Sequence, residues 1–98
     1  MKLTKLLERL EYTCIQGNPE TEVTSVINDS RKVTEGSLFI CIKGAVSDGH
    51  SYAADVAAKG ASVIIVQDPV EVPETVTVIK VEDSRYAMAL IAAAWYDY

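Results

Sequence analysis

The segment of this chain best suited to holding an anion is Gly44-Ala45-Val46-Ser47-Asp48-Gly49-His50-Ser51. It follows an apolar run of strand length and opens a stretch with helical spacing. It nearly spells a phosphate-binding loop, whose glycines let backbone N–H groups cradle phosphate oxygens. A true loop of that kind carries Lys before its last Ser or Thr, and here His50 stands in that place. Asp48 adds a charge that opposes a triphosphate, so ATP hydrolysis at this loop is not expected. The free N–H groups and positive dipole end of a helix N-terminus would still suit a diphosphate. A plain strand-to-helix connection, with glycines serving the turn and Asp48 capping the helix, accounts for the same residues equally well.

The second candidate is Asn28-Asp29-Ser30-Arg31 at the end of a β-branched stretch. Ligands of open α/β sheets sit beyond the carboxyl ends of parallel strands. Ser30 offers a hydroxyl there, and Arg31 a fork for carboxylate or phosphate. The plainer reading is a solvated turn in which Asp29 pairs with Arg31 or Lys32. His50 is the one histidine in the sequence. No Ser, His and Asp constellation certifies a triad, and a loop or capping role is its default. Cys14 and Cys41 form no CxxC pair and have no histidine at ligand spacing, so neither metal nor redox chemistry is assigned. Cys41 reads as a small buried hydrophobe.

These residues need elements to position them. Leu3, Leu6, Leu7 and Leu10 recur at helical spacing and predict a short amphipathic helix over 4–11. Gly17-Asn18-Pro19 reads as a turn, residues 22–28 as a strand and Glu35-Gly36 as the next turn. Residues 37–42 form an apolar run that should be a central strand. A helix over 51–59, carrying Tyr52, Ala53, Val56 and Ala57, closes at Gly60, and 61–66 returns as a buried strand. This βαβ unit implies two parallel strands. Residues 75–81 read as a further strand after the breaks at Pro69 and Pro73. Asp83 can cap a last helix from Ser84, with Ala87, Ile91, Ala94 and Trp95 on one face and Met88, Trp95 and Tyr96 as core or interface residues. That helix is expected to run to Tyr98 without a Gly or Asn stop, which suggests an engineered or truncated C-terminus.

The fold class that follows is α/β: one small Rossmann-like domain, residues 1–98, with a central, mainly parallel or mixed sheet flanked by helices. A chain of 98 residues supports one core,. With 49% hydrophobic and 23% charged residues it is globular in balance,. A net charge of −5 argues against nucleic acid as a partner,. No apolar run reaches membrane-spanning length and no signal peptide opens the chain, so no membrane partner and a cytoplasmic location are expected.

Taken in order, Asp29-Ser30-Arg31, Gly36-Ser37-Leu38-Phe39, Lys43-Gly44, Asp48-Gly49-His50 and Gly60-Ala61 resemble the N-terminal domain of Mur ligases over essentially the whole chain. The opening Met1-Lys2-Leu3-Thr4-Lys5-Leu6-Leu7, and Tyr52 after Asp48-Gly49-His50, most resemble the branch that adds the third residue of the peptidoglycan stem peptide. The resemblance implies that this domain holds the UDP moiety of UDP-N-acetylmuramoyl-L-alanyl-D-glutamate. Central and C-terminal domains of the parent chain would supply ATP binding and amino-acid binding. By the same resemblance Ser30 contacts the UDP substrate, Asn28 helps hold the nucleotide, and Ala45, Val46 and Ser47 wrap the uracil, largely through backbone. Asn28 departs from the apolar residue of some relatives, which weakens any packing of uracil there.

The family activates a carboxylate as an acyl phosphate and then forms an amide bond, which implies ATP and magnesium for the parent. No Thr-Gly-x-Asn-Gly-Lys-Thr loop occurs in this sequence, so the chain is expected to bind weakly, with no cofactor and no catalytic residue of its own. Three alternatives stand beside this one. The branch adding D-alanyl-D-alanine shares a similar pattern. A flavodoxin-like phosphoacceptor would need paired acids after its first strand and a late Lys, which are not in those places. A non-catalytic α/β interaction domain fits if both loops are plain connections.

Overall fold

Two fully buried strands and a third buried but for its last residue set the architecture. In the computed structural model, which describes residues 1–96, the strands are β1 Thr13–Gln16, β2 Ser25–Ile27, β3 Ser37–Ile40, β4 Val63–Val66 and β5 Thr77–Lys80. They form one sheet in the order β1-β5-β4-β3-β2. The four strands β2 to β5 run parallel, and β1 joins β5 antiparallel at the edge. Successive side chains on a strand point to opposite faces. Leu38, Ile40, Val63, Ile65 and Ile79 therefore enter one core, and Phe39, Cys41, Ile64, Val66 and Val78 the other.

Helices α1 (Leu3–Leu6) and α3 (Ser84–Tyr96) cover the first core with Leu3, Leu6, Leu7, Ala87 and Ile91. Helix α2 (Ala53–Ala58) covers the second with Ala53 and Val56. The sheet thus lies between two helical layers, and the expected α/β class is what the chain adopts. No helix among the described residues is long and apolar enough to cross a membrane.

Several expected elements come out shorter, each for a local reason. The leucine face of the first helix is buried as predicted, but the helix ends at Leu6. Leu7 already leaves helical geometry at φ −98° and ψ 1°, and before the helix the Met1 ammonium donates to the Val23 carbonyl (3.0 Å) while Lys2 bridges to Glu22. A four-residue helix owes its stability to that packed face, because short helices are marginal alone. The same bridge claims residue 22, so β2 begins only at Ser25. Helix 51–59 divides into a 3-10 turn, Gly49–Tyr52, and then α2. The Asp48 carbonyl accepts from Ser51 N–H at 3.0 Å, an i to i+3 bond that tightens the first turn,. Gly60, with φ +103, ends α2 as the sequence predicts,.

Strand β1 is the element the sequence reading missed. Its pattern is only half-buried, and its register slips between Cys14 and Gln16, leaving Ile15 exposed at the bulge. The predicted cap of α3 is present: Asp83 Oδ1 accepts from Arg85 N–H (3.0 Å) and Tyr86 N–H (3.2 Å). Within α3, Ala87 and Ile91 are buried while Met88, Ala94 and Trp95 pack against the core's border. Residues 97 and 98 of the expected helix lie outside the described residues.

Candidate functional site

Because β2 and β3 are adjacent and parallel, the loops leaving their carboxyl ends lie side by side. Between them is an open cleft of about 670 Å³, lined in part by Asn28, Ser30, Arg31, Ser47, Gly49 and Tyr52. Phe39 and Ile42 give it an apolar side, and Asp29 and Gly44 complete the lining. Three of the five candidate residues, Asn28, Ser30 and Ser47, thus border one cavity. Ala45 and Val46 do not line it; Val46 projects into solvent, 99% exposed.

The first loop is held from three sides. Asp29 accepts from the Arg31 N–H and from its guanidinium, at 3.0 Å (Nε) and 2.8 Å (Nη2). The charge pair that the plainer reading expected is present, and Arg31, though largely exposed, folds back on its own loop. The Lys59 ammonium, leaving α2, donates to the Ser30 carbonyl at 3.0 Å. Asn28 Nδ2 reaches Met88 Sδ on α3 at 3.4 Å, tying the loop to the opposite layer. The Ser30 and Ser47 hydroxyls make no hydrogen bond among the described residues, which leaves both able to meet a ligand.

The second loop reverses sharply. Lys43 pairs with Asp48 in an antiparallel bridge, and Gly44 N–H donates to the Ser47 carbonyl at 2.8 Å. Gly49 then lies against β3's exit, its N–H donating to the Ile42 carbonyl at 2.8 Å. A Cβ at Gly49 would come within 2.7 Å of Ile42 N and 3.1 Å of Cys41 Cα, so a bare backbone is required there.

At the helix end the anion-binding idea needs correction. The Asp48 carboxylate accepts from His50 N–H at 2.9 Å and so already occupies the position a phosphate would take,. These contacts hold the Asp48 carboxyl below its usual range, first through the His50 backbone N–H and then its ring. His50 itself is almost fully buried, 8% exposed. Its Nδ1 lies 2.7 Å from Asp48 Oδ1, and its Nε2 accepts from the N–H groups of Gln67 (3.0 Å) and Asp68 (3.1 Å). Nothing in the spacing of a lone histidine announces contacts 17 and 18 residues away.

A triphosphate with magnesium does not fit this loop: Asp48 fills the helix end, both His50 nitrogens are engaged, and no lysine stands at that position. Asp48, His50 and Asp68 do bring possible ligand atoms within 4.8 Å of one another. Those atoms serve the internal bonds just given, and Asp68 also pairs with Lys43 at 2.5 Å. A larger depression, about 730 Å³, opens beyond β4 and β5. Its rim sets Glu11, Asp68 and Glu82 against one ammonium, Lys80, a balance that opposes an anionic ligand,.

The arrangement is thus an α/β domain with an open cleft at the carboxyl ends of two parallel strands. The model of the Mur ligase family, catalytic domain, matches residues 22–96, and the chain belongs to the Mur ligase family. The UDP-N-acetylmuramoyl-L-alanyl-D-glutamate--2,6-diaminopimelate ligase of Clostridioides difficile is 45% identical over 98 residues, all of this chain and 20% of that protein. The enzyme of that name from Clostridium perfringens is 43% identical over 96 residues, 98% of this chain and 20% of its own length. The chain therefore spans about a fifth of these relatives. Among solved structures, MurF from Acinetobacter baumannii superposes with TM-score 0.80 at 26% identity, covering 98% of this chain and 21% of that one.

Proposed function

We propose that this chain is the N-terminal substrate-recognition domain of the ligase that adds the third residue of the peptidoglycan stem peptide. It holds the UDP end of UDP-N-acetylmuramoyl-L-alanyl-D-glutamate. The observation that carries this reading is the cleft at the carboxyl ends of β2 and β3, lined by Ser30 and Ser47, whose hydroxyls have no partner among the described residues, and having an apolar side. Ser30 is the principal contact, Asn28 supports it, and Ala45, Val46 and Ser47 contribute loop backbone. By the names of its relatives, the residue added is 2,6-diaminopimelate. ATP and magnesium belong to the parent's remaining domains, and the parent works in the cytoplasm.

The D-alanyl-D-alanine-adding branch shares the fold, as the superposition on MurF indicates, but at 26% identity against 45% for the diaminopimelate ligase. Calorimetry separates binding from a mere scaffold role. Saturable heat with UDP-N-acetylmuramoyl-L-alanyl-D-glutamate, reduced by excess UDP and absent with ATP, is the expected result; equal or no response to all three overturns it.

A further inference from the structure

The polar groups around the cleft share one buried hub that the proposed contacts do not include. Among the described residues no buried side-chain nitrogen or oxygen lacks a hydrogen-bond partner, and at this end of the sheet that balance depends on His50. Its Nε2 faces two N–H groups and so must accept, which places the ring hydrogen on Nδ1, pointing at Asp48,. The two backbone donors belong to Gln67 and Asp68, the residues leaving β4, while Asp48 and Gly49 close the loop leaving β3. One imidazole therefore fastens the second cleft loop to a strand exit two registers of sheet away from β2.

The attachment continues into α3. Gln67 Oε1 accepts from Ser84 N–H (2.7 Å) and Ser84 Oγ (2.8 Å), and Arg85 Nη2 donates to the Lys43 carbonyl at 3.1 Å. The loop base at Lys43, the loop end at Asp48 and the first turn of α3 are thus joined in one hydrogen-bonded network. Ser47, which borders the cleft, lies on the hairpin between those two anchored points.

We propose that His50 is a positioning residue for nucleotide binding: through its Asp48 and β4 contacts it presets the 44–49 loop at the cleft, without touching the ligand. This rests on the uridine-nucleotide reading above. A loop fixed before binding loses less freedom when ligand arrives, so the gain appears as affinity. Asp48 makes the role separable from charge. Removing its carboxylate beside an anionic ligand should tighten binding if charge alone matters, and weaken it if loop placement matters.

The test uses the chain itself, whose two cores close both faces of the sheet. Imidazole nitrogen shifts of the free protein should report hydrogen on Nδ1 and an accepting Nε2; the opposite tautomer overturns the clip. Folding of His50→Ala, His50→Gln and Asp48→Ala is checked by thermal transition, and affinity for UDP-N-acetylmuramoyl-L-alanyl-D-glutamate is then measured. Gln keeps an acceptor for Gln67 and Asp68, so it should bind close to wild type, while Ala should bind about tenfold more weakly. Should His50→Ala not fold, Asp48→Ala decides: weaker binding supports positioning, and equal or tighter binding refutes it. Wild-type affinity in a folded His50→Ala removes the proposal and leaves the uridine-nucleotide reading intact. Absence of binding by the wild type removes both.

Discussion

Arg31 reaches back two residues to grip Asp29 with both prongs of its guanidinium, Nε to Oδ1 at 3.0 Å and Nη2 to Oδ2 at 2.8 Å. The pair decides how the first loop meets a ligand. It commits the arginine to shaping the turn, beside Ser30, which lines the cleft and whose hydroxyl has no partner among the described residues. The Asp29 carboxyl is pulled from 3.8 to about 2, chiefly by the Arg31 side chain and then by its backbone N–H. A folded value below the unfolded one means the pair's contribution is fully present above pH 3.8 and is lost as pH falls through about 2. A carboxyl-carbon NMR titration should place the Asp29 midpoint near 2, and Arg31→Ala should return it toward 3.8. A wild-type midpoint already at 3.8 would remove the pair from solution.

Ser30→Ala should weaken binding of the UDP substrate roughly 2- to 10-fold, the worth of one hydrogen bond, and leave the thermal transition in place. Its hydroxyl has no partner among the described residues, so truncation orphans nothing in the free protein. Unchanged affinity in calorimetry takes Ser30 out of the site.

Gly49→Ala should destabilise the fold by roughly 1–3 kcal/mol through overpacking, because the added carbon meets the Cys41 and Ile42 backbone rather than a yielding side chain,. Urea unfolding checks this; a loss below a few tenths would show that the loop can move off β3 freely.

Ile91→Ala should cost about 2–5 kcal/mol, since the side chain is wholly buried between α3 and the sheet,. Tyr86→Ala, five residues earlier on the same helix and 62% exposed, should stay within about 0.5 kcal/mol,. Comparable losses at both positions would contradict the facing of α3.

Burial pushes the Cys41 thiol up to about 12, and the thiolate is the reactive form. The native chain at pH 8 should take up one equivalent of alkylating reagent, at half-buried Cys14, and a second only in denaturant. Rapid double labelling without denaturant would show that β3's exit opens readily.

Much of this architecture was legible because its signals are local. The apolar runs of β3 and β4, Gly60 closing α2 and Asp83 opening α3 each follow from neighbouring residues, and their order implies a parallel sheet. Strand β1 escaped because Thr13-Cys14-Ile15-Gln16 is short, half-exposed and bulged; its signal was Tyr12 and the β-branched Thr13 and Ile15 before the Gly17 turn. At the site, the side-by-side placement of residues 28–31 and 44–49 followed from the topology. The roles of individual side chains did not. Arg31 could face outward or back to Asp29, and only folded geometry selects. His50 bonds to Gln67 and Asp68 through a strand, a turn and a helix, a relation with no periodicity to read.

The proposed function places a uridine nucleotide in the cleft between these loops. A two-dimensional NMR titration with UDP-N-acetylmuramoyl-L-alanyl-D-glutamate, with ATP as control, tests it most directly because it detects weak binding and locates it. Shifts should concentrate at residues 28–31 and 44–49 with the UDP ligand, with none there with ATP. Silence at those amides, or shifts centred on the depression bounded by Glu11, Asp68 and Glu82, would contradict it.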